Sequence, residues 1–272
     1  MIKRYLFLLA TGAIAYLLVP INTVLLDQSL ARAETKVCTK QTDSNPIEIE
    51  VRNASDSPIK VNWVSADCQE TPNNNQVEPG RAFKGKTYLG HAFRIRNAKT
   101  GGLLQEIVVT NDTDTFTIGA IEDNDPGEAF LTTLNQIRKG RNLPPLEYDD
   151  TLNKSCQWQA NLMGKYDVMD HDAEVVGGAT YKDMKDLGDR LKHFGWKGGG
   201  SAEALSGGEF PNLKTAGSTW VLDWSSSDTH YRPFLSLDNQ VFSHVGFGYA
   251  RSGKKKNEYY ACAIFGNPNG DR

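Results

Sequence analysis

Residues 241–265 read VFSHVGFGYARSGKKKNEYYACAIF, and this stretch decides the fold of the second half of the chain. Two apolar runs, residues 241–250 and 258–265, flank the polar segment 251–257, which carries a glycine and three lysines. β-Branched and aromatic runs on both sides of a short polar turn are typical of a β-hairpin. We therefore predict that two neighbouring strands close the chain.

Helical patterns precede this hairpin. The first predicted helix follows Asp125, whose side chain can cap it, with Pro126 at the first position, Glu128 in the first turn and Gly140 at the end. Apolar residues at helical spacing predict three more helices. The second predicted helix carries Leu152, Cys156, Ala160 and Met163. The third, over about residues 182–194, carries Met184, Leu187 and Leu191. The fourth carries Leu213, Ala216, Trp220 and Trp224. Helices followed by a hairpin predict an α+β or three-layer domain.

The first half of the chain alternates apolar and polar residues with a period of two, which is the pattern of strands. Turn-forming clusters separate these segments, and their spacing predicts a small all-β sandwich. The segments are marked by Ile47, Ile49 and Val51; by Ile59, Val61 and Trp63; by Thr87, Leu89, His91, Phe93 and Ile95; and by residues 103–109 and 115–118. The polar, acidic residues 121–127 have the composition of a linker between the two halves.

The N-terminus has the pattern of an export signal. Lys3 and Arg4 precede an apolar run over residues 5–19, and residues 31–33, Ala-Arg-Ala, form a small-x-small cleavage pattern. We predict that residues 1–33 are a signal peptide and that the mature chain is secreted or periplasmic, with no membrane span after cleavage. An uncleaved membrane anchor is the alternative. The 272 residues carry a net charge of −3 and no basic stripe, which argues against a nucleic-acid partner.

An even number of cysteines in an exported chain predicts disulfide bonds. Cys38, Cys68, Cys156 and Cys262 allow three connectivities, of which Cys38–Cys68 and Cys156–Cys262 keep each pair within one half. The second bond would close a loop of about 106 residues and stabilise the fold by at most roughly 4–5 kcal/mol. Four free buried thiols are the alternative. The sequence has no CxxC spacing, which argues against a cysteine zinc site.

Four residues of the second half have side chains suited to metal binding or to acid–base chemistry: His171, Glu203, Asp223 and His230. Each histidine follows a predicted helix, so closure of the chain could gather all four in one cleft. Spacing alone favours surface or hydrogen-bonded roles for the two histidines over ligand roles. The sequence contains neither HExxH nor GxSxG, which argues against the common zinc peptidases and the α/β-hydrolases.

The order of many short motifs over residues 126–267 resembles the SCP domain of the CAP superfamily. That superfamily contains cysteine-rich secretory proteins, antigen 5, pathogenesis-related 1 proteins and bacterial allergen V5/Tpx-1-related proteins. The motifs include residues 134–138, 143–146, 202–203, Trp220 and residues 245–248. The resemblance implies an α-β-α sandwich whose cleft holds two histidines and two acids, often with a divalent cation such as zinc. It places His171, Glu203, Asp223 and His230 in that site, although Asp223 is one methylene shorter than the usual glutamate.

The first half resembles the β domain of the von Hippel-Lindau tumour suppressor over roughly residues 46–118. The motifs are VNWV at 61–64, VEPG at 77–80, YLGHAF at 88–93 and GGLL at 101–104. In that family an aromatic pocket with a hydroxyl and a histidine binds hydroxyproline in a peptide, and the matching residues here are Trp63, Thr87, His91 and Phe93. The pocket tyrosine has no evident counterpart. The alternative is that Trp63 and Phe93 are core residues.

We therefore predict an α+β protein with an N-terminal small all-β sandwich followed by a three-layer α-β-α sandwich. Its parts are a signal peptide (1–33), a von Hippel-Lindau-type β domain (34–120), a linker (121–127) and an SCP/CAP domain (128–272). The favoured function is an exported two-module binding protein without catalytic residues, whose β module recognises a peptide or protein. The alternatives are a metal-dependent hydrolase acting through His171, His230 and Glu203, and a lipid- or sterol-binding protein.

Overall fold

The computed structural model describes residues 37–110, 113–235 and 242–270. The predicted signal peptide, residues 1–33, and the first residue of the predicted closing hairpin lie outside these ranges. The described residues include no helix with the length and apolar character that a membrane span requires.

The first module is built from two small sheets packed face to face. Its strands are β1 (Ile47–Asn53), β2 (Ile59–Val64), β3 (Glu70–Thr71), β4 (Gln76–Val77), β5 (Ala82–Thr87), β6 (Ala92–Asn97), β7 (Leu103–Val108) and β8 (Thr113–Ile118). One sheet has the order β5-β1-β8 and the other the order β3-β2-β6-β7, with β4 pairing to β2. Inward residues of both sheets, such as Val51, Val61 and Ile95, form one buried core. The predicted β sheets of this half are confirmed.

The predicted third strand, residues 87–95, is wrong as a single element. β5 ends at Thr87 and β6 begins at Ala92, and between them the His91 backbone N–H donates to the Tyr88 carbonyl over 3.1 Å. Gly90 adopts a φ of +82° in this turn, a region that side chains disfavour. The turn carries the chain from one sheet to the other and brings Thr87 back beside His91.

The second module has helices α1 (Pro126–Gly140), α2 (Asp150–Tyr166), α3 (Ala173–Gly177), α4 (Leu187–His193), α5 (Ala216–Ser226) and α6 (Asp228–Leu235). As predicted, Asp125 caps α1, and its Oδ1 accepts from the Gly127 N–H over 2.8 Å. The predicted continuous helix over residues 182–194 is wrong. A 3-10 turn ends at Met184, and α4 starts afresh because Asp186 caps it through the Asp189 N–H.

The second module also has a sheet of β9 (Glu147–Tyr148), β10 (Gly199–Glu209), β11 (His244–Arg251) and β12 (Glu258–Asn267), in the order β10-β12-β11-β9. β11 and β12 are antiparallel neighbours, so the predicted closing hairpin is confirmed. Alternate residues of β12 face opposite layers of helices. Ala263 packs in the core of α1 and α5, and Ile264 in that of α2 and α4. This is the predicted three-layer α-β-α sandwich.

Two disulfide bonds join the four cysteines. Cys38 is bonded to Cys68, and Cys156 is bonded to Cys262. Of the three connectivities left open by the sequence, the structure has the one that keeps each bond within a module. The first bond fastens the N-terminal segment to the β sandwich, and the second fastens α2 to β12.

Candidate functional site

Glu203 lies at the centre of a buried charged group on β10. Only 3% of its side chain is exposed, and its two oxygens contact different partners. Oε1 accepts from Nη2 of Arg190, a guanidinium that is fully buried, and Oε2 lies 2.7 Å from His171 Nδ1. The carboxylate therefore bridges a buried cation and an imidazole that reaches solvent.

Local backbone contacts hold His171 over this carboxylate. His171 lies in the loop between α2 and α3, and Arg190 Nη1 donates to its carbonyl over 2.9 Å. Gln159 on α2 donates to the neighbouring Asp170 carbonyl over 2.7 Å. Arg190 thus fixes both members of the His171–Glu203 pair, one through the main chain and one through the side chain.

The electrostatic surroundings move the pKa values of His171 and His230 in opposite directions. The hydrogen bond with Glu203 raises the pKa of His171 above its usual value, although desolvation opposes the rise. Desolvation lowers the pKa of His230, and the charge on His171 lowers it further. The charge on His171 thus acts on His230 in the opposite sense to the action of Glu203 on His171.

His230 is part of a short helix of its own, whereas the sequence pattern places it after the fourth predicted helix. It lies in α6, which starts after Ser227 ends α5. The Ser227 hydroxyl contacts His230 Nδ1 at 3.0 Å. This contact engages one of the two ring nitrogens of His230.

Asp223 departs most from the predicted cluster. Its Oδ1 lies 2.7 Å from Arg52 Nη1, on strand β1 of the first module, and Arg52 also contacts Glu50. Desolvation raises the pKa of Asp223, and the Arg52 charge opposes that rise. Within the described residues, no group of three or more His, Cys, Asp or Glu side chains is arranged to hold a metal ion. The structure thus directly joins His171 to Glu203 and pairs Asp223 with Arg52.

Arg52–Asp223 is one of several contacts between the two modules. Gln136 Nε2 donates to the Ala54 carbonyl over 3.0 Å, and Lys139 Nζ lies 2.7 Å from Asp56 Oδ2. Both partners belong to the loop after β1, and both donors lie on α1. Helix α1 therefore forms the second module's side of the junction, together with Asp223 of α5.

Three of the four residues predicted to bind a peptide lie together in the first module. Trp63 Nε1 donates to His91 Nδ1 over 3.2 Å, and the Thr87 hydroxyl is 3.0 Å from the same nitrogen. Phe93 is instead buried in the sandwich core, as the alternative reading of the sequence allowed. Two residues were not predicted there. The ring of Tyr88 lies 5.2 Å from that of His91, and Gln41 contacts His91 Nε2.

The Trp63 contact determines the tautomer of His91. An indole N–H can only donate, so Nδ1 of His91 must accept and the neutral ring carries its proton on Nε2. Desolvation lowers the pKa of His91, in agreement with a neutral imidazole. The first module therefore presents an N–H donor from His91 beside two aromatic rings.

Comparison with known proteins bears on the second module. Residues 131–265 match the family model described as CAP, the cysteine-rich secretory protein family. The protein YkwD of Bacillus subtilis (strain 168) is 29% identical over 119 residues, which cover 44% of this chain and 40% of that protein. The chain thus matches less than half of this relative's length.

Two solved structures resemble part of the chain. One is an outer surface protein from Borrelia burgdorferi, with 20% identity, a TM-score of 0.42, and coverage of 54% of this chain and 96% of that one. The other is an extracellular protein containing a SCP domain from Bacillus anthracis str. Ames, with 20% identity, a TM-score of 0.39, and coverage of 52% of this chain and 39% of that one.

Proposed function

We propose that this chain is an exported binding protein of two modules, the second of them built on the cysteine-rich secretory domain that residues 131–265 match. In this proposal the second module holds a divalent cation such as zinc between His171 and His230. The first module recognises an extended peptide or protein segment beside His91. The observation that carries the proposal is the Arg190–Glu203–His171 arrangement, because the buried Arg190–Glu203 pair holds an exposed imidazole through Nδ1, the nitrogen opposite the one assigned to the ligand.

The chemistry of the donor set supports a metal site of two imidazoles. Histidines that bind metals usually give their other ring nitrogen to a carboxylate or another polar partner, which fixes the ring. Glu203 contacts Nδ1 of His171 in this way, and the Ser227 hydroxyl contacts Nδ1 of His230. Each ring then keeps Nε2 for a cation. Glu203 already bonds Arg190, so we assign it the role of orienting His171, and we leave Asp223 out of the donor set.

Two protein ligands leave the remaining positions of a zinc ion for water or a bound molecule. A bound cation would supply Lewis acidity in the cleft. The residues of this chain would orient the two rings and keep a buried positive charge, that of Arg190, on the far side of Glu203. We therefore expect modest affinity and exchangeable binding, which suits recognition of a ligand that brings its own donor atoms.

Metal analysis of the tag-free protein, followed by zinc titration calorimetry, tests this site. We expect His171→Ala and His230→Ala each to abolish zinc binding in the micromolar range. Glu203→Gln should weaken binding about 10–100-fold, the usual effect of removing an orienting partner. Asp223→Asn and the exposed His193→Ala serve as matched controls and should bind as the native protein does. Equal zinc binding by the two alanine variants of the cleft and by the controls would refute the site.

Recognition of a peptide by the first module is supported by the grouping of Trp63, Tyr88, Thr87 and His91. Aromatic rings supply contact area and the polar atoms fix orientation, as in many peptide sites. N-acetyl-4-hydroxyproline amide is a suitable first probe, because it offers a ring to the aromatics and a hydroxyl to His91. We expect it to shift the NMR signals of the His91 ring, and we expect its affinity for the protein to fall in His91→Ala. A probe that perturbs none of these signals at millimolar concentration contradicts this half of the proposal.

Lipid binding is the second candidate function, and one observation favours it. Val168 and Met169, in the loop that carries His171, and Val175, in α3, are 39%, 51% and 60% exposed. Large apolar side chains grouped on a surface mark contact sites. Flotation with phosphatidylcholine–cholesterol vesicles would test it. Binding that falls in Met169→Ser, and not in the exposed-site control Lys192→Ser, would favour lipid contact.

A further inference from the structure

The N-terminal segment of the first module, residues 38–42, lies along the β5–β6 turn, and we call it the strap. The Lys40 N–H donates to the Gly90 carbonyl over 2.8 Å, and the Thr42 N–H donates to the Leu89 carbonyl over 3.0 Å. These two main-chain bonds attach the strap to the turn that joins Thr87 to His91. Binding of one extended segment to another through the main chain is also how many domains bind peptides.

Three further features fasten the strap. Its first residue, Cys38, is bonded to Cys68. The Thr39 hydroxyl donates to the Val64 carbonyl and accepts from the Ala92 N–H over 3.0 Å, so it joins the strap to β2 and β6. The close approach of the strap to the turn also requires a glycine at position 90, because a Cβ there would lie 1.7 Å from the Lys40 carbonyl oxygen. The strap is therefore a built part of the module.

The strap places one side chain against His91. Gln41 Oε1 lies 3.4 Å from His91 Nε2, the ring nitrogen that carries the proton when Nδ1 accepts from Trp63. Gln41 Nε2 donates to the Asp43 carbonyl over 2.8 Å, which turns the amide oxygen towards the imidazole. The exposed donor of the aromatic site thus has an acceptor supplied by the chain itself.

We propose that Gln41 is the resident occupant of the His91 site and that the strap competes with external peptide ligands for it. This inference rests on the peptide-recognition role proposed above for the first module. It also defines the ligand class, which is an extended peptide segment that offers a side-chain amide or hydroxyl oxygen to His91 Nε2. A tethered occupant acts at a high effective concentration, so an external ligand must displace the Gln41 contact before it can bond the ring.

NMR of histidine-labelled protein tests the resident contact without any ligand. The variant is Gln41→Ala, and the matched control is Gln69→Ala, which truncates an exposed glutamine of the same module that lies outside the strap. We expect Gln41→Ala to shift the His91 Nε2 signal and to speed exchange of its ring proton with water at least threefold. The control should leave both unchanged. A His91 spectrum identical in Gln41→Ala and the native protein would overturn the inference.

Titration with N-acetyl-4-hydroxyproline amide separates the two proposals. If the strap competes, the probe should bind Gln41→Ala about fivefold more tightly than it binds the native protein, the usual effect of one neutral hydrogen bond. Equal probe affinity in the two proteins would refute competition by Gln41. A shifted His91 signal in Gln41→Ala with no probe binding by any variant would support the resident contact and count against the peptide-recognition role.

Discussion

Replacement of Glu203 by glutamine should strongly destabilise the second module. Glu203 is 3% exposed and Arg190 is fully buried, so the guanidinium has little access to water if its counter-charge is removed. Breaking a buried ion pair by removing one partner costs about 3–5 kcal/mol. Glutamine keeps one acceptor oxygen and Arg190 keeps its bond to the His171 carbonyl, so we expect a loss near the lower limit, about 3 kcal/mol. The same change should also lower the pKa of His171, because Glu203 raises it.

Urea unfolding followed by tryptophan fluorescence measures this loss. With a slope of about 2 kcal/mol/M, a 3 kcal/mol change moves the midpoint by roughly 1.5 M. Glu209→Gln is the matched control, because it makes the same substitution at an exposed position of the same strand. Histidine NMR titration of both variants reports the pKa of His171 independently of stability.

A double-variant cycle distinguishes a broken ion pair from simple loss of packing. Arg190→Met combined with Glu203→Met removes both charges and fills the space with apolar atoms. If the cost of Glu203→Gln comes from the unpaired guanidinium, the double variant should be more stable than the sum of the two single methionine variants predicts. A midpoint for Glu203→Gln within about 0.3 M of the Glu209→Gln control would refute the reasoning.

Three further outcomes follow from the structure. The His171 pair stabilises the fold below the unfolded pKa of about 6.5, and this contribution should fade as pH rises through the raised folded-state pKa, which urea midpoints across that range would detect. Arg52→Ala and Asp223→Asn should show a coupling of only about 0.5–1 kcal/mol in a double-mutant cycle, because both side chains are partly exposed and solvent screens the pair; coupling above about 2 kcal/mol would contradict this. Replacing Cys156 and Cys262 by alanine should cost about 2–5 kcal/mol, and thermal melts that match the native protein would count against a stabilising bond.

Short stretches of sequence correctly predicted those helices and strands whose ends are determined by residues at or next to the ends themselves. Asp125 and Pro126 predict the start of α1, and the polar segment between two apolar runs predicts the hairpin of β11 and β12. β10 is absent from the sequence-based prediction because its sequence, GGSAEALSGGE, is rich in glycine and serine and lacks a clean alternation. Its strand form comes from pairing along β12, a contact that no short window of sequence contains.

The sequence was sufficient to name the residues of the candidate site, but it did not predict all the contacts that these residues make. Resemblance led to His171 and Glu203, which lie 32 positions apart and do meet. It gave no warning that Asp223 pairs with Arg52, because that contact joins residues 171 positions apart in different modules. Arg190 carried a usable signal, since it is a cation between the apolar residues Leu187 and Leu191 of α4. A charge on the buried face of a helix needs a partner, and Glu203 is that partner.

The Cys156–Cys262 bond has a mechanical consequence. It connects α2 to β12 across 106 positions, and His171, Glu203 and His230 all lie between its two ends. A pulling force applied to the two ends of the chain is carried through the sulfurs and bypasses that loop. At roughly 3.4 Å per extended residue, about 360 Å of contour length stays hidden until the bond is reduced. In a single-molecule stretching experiment on the oxidised protein, His171 and His230 should therefore stay within the closed loop even after the second module has unfolded.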